Sequence, residues 1–107
     1  MEITAIENEV VRAAFTAWNS RDRKGFINLV SAETTFSHNG EKGDIMNFSD
    51  HFFFGTAKSV FTEIHKIENE GKSIYATLES DEAGKIGVLM RFEIRDGKIS
   101  DLDAGRP

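Results

Sequence analysis

The apolar residues of this 107-residue chain change their spacing once, between Gly55 and Lys58. Before that point they recur mostly at steps of three and four, as one face of a helix requires. After it they run at steps of about two, as one face of a strand requires. A chain patterned in this way must cover a late sheet with early helices, because each element has an apolar face to bury. The clearest early segment is residues 10–22, VVRAAFTAWNSRD. Val10, Val11, Ala14, Phe15, Ala17 and Trp18 fall on one helical face, and Arg12, Thr16 and Asn19 on the other. The apolar stripe is wide and carries the only tryptophan, which suits a helix lying inside a curved sheet. Upstream, Thr4 with Glu7 three residues later predicts a capping box.

Asp22 is the predicted cap of a short second helix in which Phe26, Leu29 and Val30 share a face. Residues 34–39 alternate as a strand does, with Phe36 and His38 on one side and Thr35 and Ser37 on the other. Asn39-Gly40 and Gly43 predict a turn or short loop. Asp44 then caps a third helix with Ile45, Phe48 and Phe52 as its stripe, Phe53 alongside and Gly55 as the stop. Residues 58–68 are β-rich, but Val60, Phe61, Ile64 and Ile67 alternate imperfectly, so a bulge is expected near Glu63. Ile74, Ala76 and Leu78 form the next strand face. Ile86, Val88, Met90, Phe92 and Ile94 form the longest clean alternation, and Asp96-Gly97 turns the chain into a last strand over residues 99–104. The expected architecture is one domain over residues 1–107 of the α+β class. Three N-terminal helices pack into the concave face of a curved, mostly antiparallel sheet, leaving a cone with an open end.

Zero cysteines exclude disulfides, thiolate metal sites and a thiol nucleophile. A net charge of −5 disfavours binding to nucleic acid, which relies on clustered Lys and Arg. No apolar run is long enough for a membrane span, and the acidic start of the chain leads to the expectation of a cytoplasmic protein. No spacing of His38, His51 and His65 matches a metal site, so neither metal nor cofactor is expected.

A helix carrying AWN-x-x-D, a strand reading F-x-H, a helix ending in Phe-Phe and a final hairpin on F-x-I-x-D-G-K-I resemble the nuclear transport factor 2-like superfamily. The resemblance runs from about Ile6 to Ala104 and is nearest to the bacterial SnoaL-like and ketosteroid isomerase-like branch. It implies a cystatin-like cone and a small-molecule pocket. Because the superfamily holds isomerases, cyclases, hydrolases, dehydratases and noncatalytic modules, it does not imply one reaction. On that resemblance His38 matches the strand position of the isomerase general base, while the oxyanion tyrosine becomes Ala14 and the partner acid Met90. The last-strand acid of the epoxide hydrolases becomes Ala104.

His38 is the best single candidate for chemistry, since an imidazole on the covered face near the open end can pass a proton either way. No acid shares its face nearby, which suits it to act as a base. Trp18, Phe36, Phe52, Phe53, Val88, Met90, Phe92 and Leu102 are the expected walls of an apolar ligand pocket. Asp101 and Asp103 could pair as acid and base, but the apolar Leu102 and Ala104 claim the inward face, so the aspartates are expected outside. The outer face, with Tyr75, Thr77, Leu89, Arg91 and Glu93, is expected to form a homodimer, as members of the family often do. The function expected is binding of an apolar small molecule, with His38 as proton carrier in an isomerase, cyclase or dehydratase. The alternative is a noncatalytic homodimeric module with a vestigial pocket.

Overall fold

A computed structural model describes residues 3–82 and 84–105 as three helices followed and interleaved by the strands of one sheet. Helix α1 (Glu9–Ser20) starts at Asn8, whose side-chain oxygen accepts from the N–H groups of Val10 and Val11 at 3.0 and 3.1 Å. The expected Thr4–Glu7 box is therefore not the start signal. Ile3–Ala5 forms a separate 3-10 turn, and Asn8, a stronger cap than Thr, takes the orphan donors. Helix α2 (Arg23–Ile27) is capped by Asp22 through the Gly25 N–H at 3.0 Å, and α3 (Ile45–Phe52) by Asp44 through the Asn47 N–H at 2.9 Å. Both caps are the ones the sequence predicts.

The strands are β1 (Thr35–His38), β2 (Glu41–Gly43), β3 (Val60–Glu68), β4 (Ser73–Ser80), β5 (Gly84–Arg95) and β6 (Lys98–Gly105). They lie in the spatial order β2-β1-β6-β5-β4-β3, antiparallel throughout except for the parallel pair β1–β6. The sheet is thus mixed and open, in an α+β fold. Strand β2 replaces part of the loop expected after Asn39. Asn39 (φ 52°) and Gly40 (φ 85°) are both left-handed, the geometry of a tight hairpin turn. The three residues of β2 all have exposed side chains, so they carry no alternation from which a strand could be read. Register shifts on β3 fall between Phe61 and Glu63, the expected bulge, and again between Ile64 and Lys66.

Register aligns the inward side chains into rungs. Phe36, Leu102 and Phe92 make one rung, and His38, Ala104, Met90 and Ile74 make the next. Beyond these, Ala76 faces Val88, and Leu78 stands between Phe61 and Ile86. Helix α1 packs on the Phe92 rung, with the rings of Phe15 and Trp18 centred 6.1 and 6.2 Å from that of Phe92. Trp18 is fully buried between Phe26 and Phe53, each 5.0 Å away. Its indole N–H donates to the buried Ser49 hydroxyl at 3.1 Å, so the one polar atom of the ring is satisfied.

The next residue on α1 binds the sheet differently. The Asn19 amide donates to the Phe61 carbonyl at 3.0 Å and accepts from the Phe61 N–H at 2.9 Å. Among the described residues, no helix is long and apolar enough to cross a membrane.

Candidate functional site

His38 is the last residue of β1, immediately before the left-handed turn at Asn39–Gly40. Alternation sends its side chain inward with that of Phe36, one rung nearer the end of the sheet. Across β6 and β5 its row continues as Ala104 and Met90, one very small side chain and one unbranched one. They leave a cavity of about 180 Å³. Phe53, Phe61, Leu78, Val88, Met90 and Ala104 form its buried floor and walls. Phe48, Phe52, Ile86 and Gly105, half-buried, stand with His38 and the exposed Asn39 around the rim.

The His38 ring meets the rings of Phe48 and Phe52 edge-on, at centroid distances of 5.3 and 5.8 Å and interplanar angles of 65° and 79°. These contacts pack the imidazole against two phenyl rings of α3. Among the described residues neither nitrogen has a hydrogen-bond or ion-pair partner. Among the described residues, no Asp, Glu, Lys or Arg lines the cavity. The site therefore offers one group able to transfer protons, set in a hydrocarbon wall.

Of the expected pocket residues, Phe52, Phe53, Val88 and Met90 do line the cavity. Trp18, Phe36, Phe92 and Leu102 do not, and the reason is one of depth. Phe36, Phe92 and Leu102 face inward as expected but occupy the rung below His38, where the aromatic rings of α1 fill the space. Phe36 is further covered by Phe48, 4.7 Å away. Trp18 lies behind Phe53, which separates it from the cavity. Period-two spacing tells which face a residue takes but not which rung a helix will plug. Phe61, Leu78, Ile86 and Ala104 were missed as walls. The hairpin register that sets Leu78 opposite Ile86 was the available signal for those two.

The other candidates lie elsewhere. His51 Nε2 meets the Glu82 carboxylate at 3.0–3.1 Å on the surface. His65 Nε2 lies 2.6 Å from the Thr77 hydroxyl, and its ring lies 5.1 Å from that of Tyr75. Asp101 accepts from the Thr35 hydroxyl at 2.6 Å, and Asp103 from Ser37 and Arg91 at 2.9 and 2.8 Å. Both aspartates are on the outer face, as their parity required, and so is Ser37, which makes no dyad with His38. No cluster of three metal-ligating side chains occurs among the described residues. At the surface, Arg23 grips Asp50 through bonds of 2.7 and 3.0 Å. This hydrogen bonding holds the Asp50 carboxyl below its ordinary range and raises the guanidinium further.

No family model and no curated protein matches the sequence. Solved structures do match the fold. A candidate polyketide cyclase from Sinorhizobium meliloti is 16% identical and superposes with a TM-score of 0.76, covering 91% of this chain and 94% of that one. A candidate ketosteroid isomerase from Kribbella flavida is 16% identical, with a TM-score of 0.71 over 92% of this chain and 75% of the other. An NTF2-like protein of unknown function from Cytophaga hutchinsonii is 14% identical, with a TM-score of 0.68 over 90% and 85%. At such identities the likeness establishes the fold alone, which is that of the nuclear transport factor 2-like proteins.

Proposed function

We propose that this protein is a cystatin-like cone that binds an apolar small molecule at its mouth. His38 moves a proton on that molecule, as an isomerase, cyclase or dehydratase requires. The observation that carries the reading is an imidazole at the rim of an apolar cavity with no partner among the described residues on either nitrogen. Such a group can accept a proton from a bound ligand or return one. The match in fold to candidate cyclases and isomerases supports the same class of chemistry.

A second reading has its own support. Removing a proton from carbon next to a carbonyl leaves an oxyanion that needs a preorganised donor. The positions where the family resemblance would seek an acid are Met90 and Ala104, neighbours across β5 and β6, and both are hydrocarbon walls of this cavity. That favours proton transfer at a heteroatom or in an elimination, or else a binding module without turnover. His38→Gln separates the two, because an amide hydrogen-bonds but does not exchange a proton near neutral pH. Under the enzymatic reading the variant keeps ligand binding and loses turnover by about 100-fold or more, measured in single-turnover assays. Unchanged turnover would sink His38 as the proton carrier.

The outer face of β4 and β5 is proposed to join two copies. Tyr75, Thr77 and Leu89 are half-buried there, and the Tyr75 ring lies close over Gly87. Arg91 is held by Asp103 of its own chain, so the proposed contact relies on Leu89 and Tyr75 rather than on charge pairing by Arg91 across the axis. Leu89→Glu should shift the sedimenting species from dimer to monomer at micromolar concentration, and a wild type that sediments as a monomer refutes this part.

A further inference from the structure

Resting on the small-molecule reading above, we infer that the cavity takes a neutral single-ring molecule with one oxygen function, a monocyclic phenol or cyclic ketone. It excludes systems of three or more fused rings. The cavity holds about 180 Å³. An apolar cavity of roughly 150 Å³ accommodates benzene, whereas sites for larger, drug-sized ligands begin near ~300 Å³. The protein leaves space for one ring and its substituents.

His38, Ala104 and Met90 stand on three neighbouring strands, so the outer two backbones are roughly 10 Å apart at strand spacing. The middle residue has only a methyl side chain. A six-membered ring fits over Ala104, between the imidazole and the Met90 thioether, with Phe52 at the rim. No deeper extension is open, because Phe53 and Phe61 are stacked at 5.4 Å and Trp18 is packed against both.

Among the described residues no cationic side chain lines the cavity, so a carboxylate entering it would lose water and find no counter-charge from them. At the mouth stand the polar side chains of His38 and Asn39, and the imidazole, unpartnered among the described residues, can accept from a hydroxyl or donate to a carbonyl. One oxygen on the ring, turned toward β1, matches that supply.

The test is a titration of the full-length protein by calorimetry and by amide chemical shifts, with four probes. p-Cresol and 4-methylcyclohexanone represent the inferred class. p-Toluate tests charge at nearly constant shape, and 2-hydroxyfluorene tests three fused rings. The inference expects saturable shifts at His38, Ala104 and Met90 with the first two probes, and binding at least about tenfold weaker for the other two. Ala104→Leu, which fills the space over the row, should abolish the p-cresol shifts. Met90→Ala, which lengthens it, should improve 2-hydroxyfluorene binding by about tenfold. If p-toluate or 2-hydroxyfluorene binds the wild type as tightly as p-cresol, the size or charge inference is overturned while the pocket reading stands. If none of the four binds, the pocket reading itself is overturned.

Discussion

Around Trp18 and around His38 the sheet presents inward rungs built by the same alternation, separated by a single step along β1, β6 and β5. At the deeper rung the facing helix supplies Phe15 and Trp18, and aromatic rings meet at 4.5–6.2 Å in every direction. At the rung above, Ala104 supplies only a methyl group beside the unbranched Met90, and Phe48 and Phe52 of α3 stand at the rim. The result is a solid plug below and a cavity above. The contrast teaches that stability and binding capacity here are set by which rung a helix fills, with the strand pattern unchanged between them.

The sharpest way to break this comparison is to empty the plug. Trp18→Ala should cost about 3–5 kcal/mol of stability, measured by equilibrium unfolding in urea, because a large ring is removed from a packed site. Ser49→Ala should cost about 1–3 kcal/mol, since it strands the buried indole N–H without an acceptor. At the upper rung, His38→Ala should cost less than about 1 kcal/mol, as a half-buried rim residue without hydrogen bonds contributes little packing. A cost equal to that of Trp18→Ala would erase the distinction between the two rungs.

The smallest effect belongs to neither rung. Asp50→Asn breaks the exposed bridge from α3 to Arg23 on α2. The Asp50 carboxyl is held below its ordinary value when folded, so its contribution is present above the ordinary carboxylate range. That contribution is lost as pH falls through the depressed value. The acid limb of the wild-type melting curve should therefore be slightly steeper than that of the variant. Screening at this exposed position keeps the difference small.

Much of this organisation was legible in the sequence. The helices, except that α2 ends at Ile27 before the expected Leu29 and Val30, the caps at Asp22 and Asp44, the bulge before Glu63 and the inward placement of His38 follow from local spacing and from groups that bond their near neighbours. The outward placement of Asp101 and Asp103 follows from parity alone. What was not legible depends on third partners. Trp18 seemed a pocket wall because its face was right, and only the positions of Phe53 and Phe26 reveal that it is enclosed. Strand β2 was hidden because three exposed residues carry no periodic signal. Asn19 read as a solvated helix residue, and nothing in α1 itself announces its bonds to Phe61.

Those two bonds bear on how copies of the molecule behave in a crowded solution. Strand β3 is an outermost strand, and the Phe61 backbone groups that Asn19 occupies are the ones a foreign strand would use to add itself to the sheet. Two bulges and the charged Glu63, Lys66 and Glu68 spoil the rest of that margin, and the opposite margin, β2, is only three residues long. Both borders of the sheet are thus poor templates for ribbon-like growth into fibres. Open-ended stacking by strand addition is thereby disfavoured, whereas the two-fold contact proposed for the sheet's broad face would close on itself.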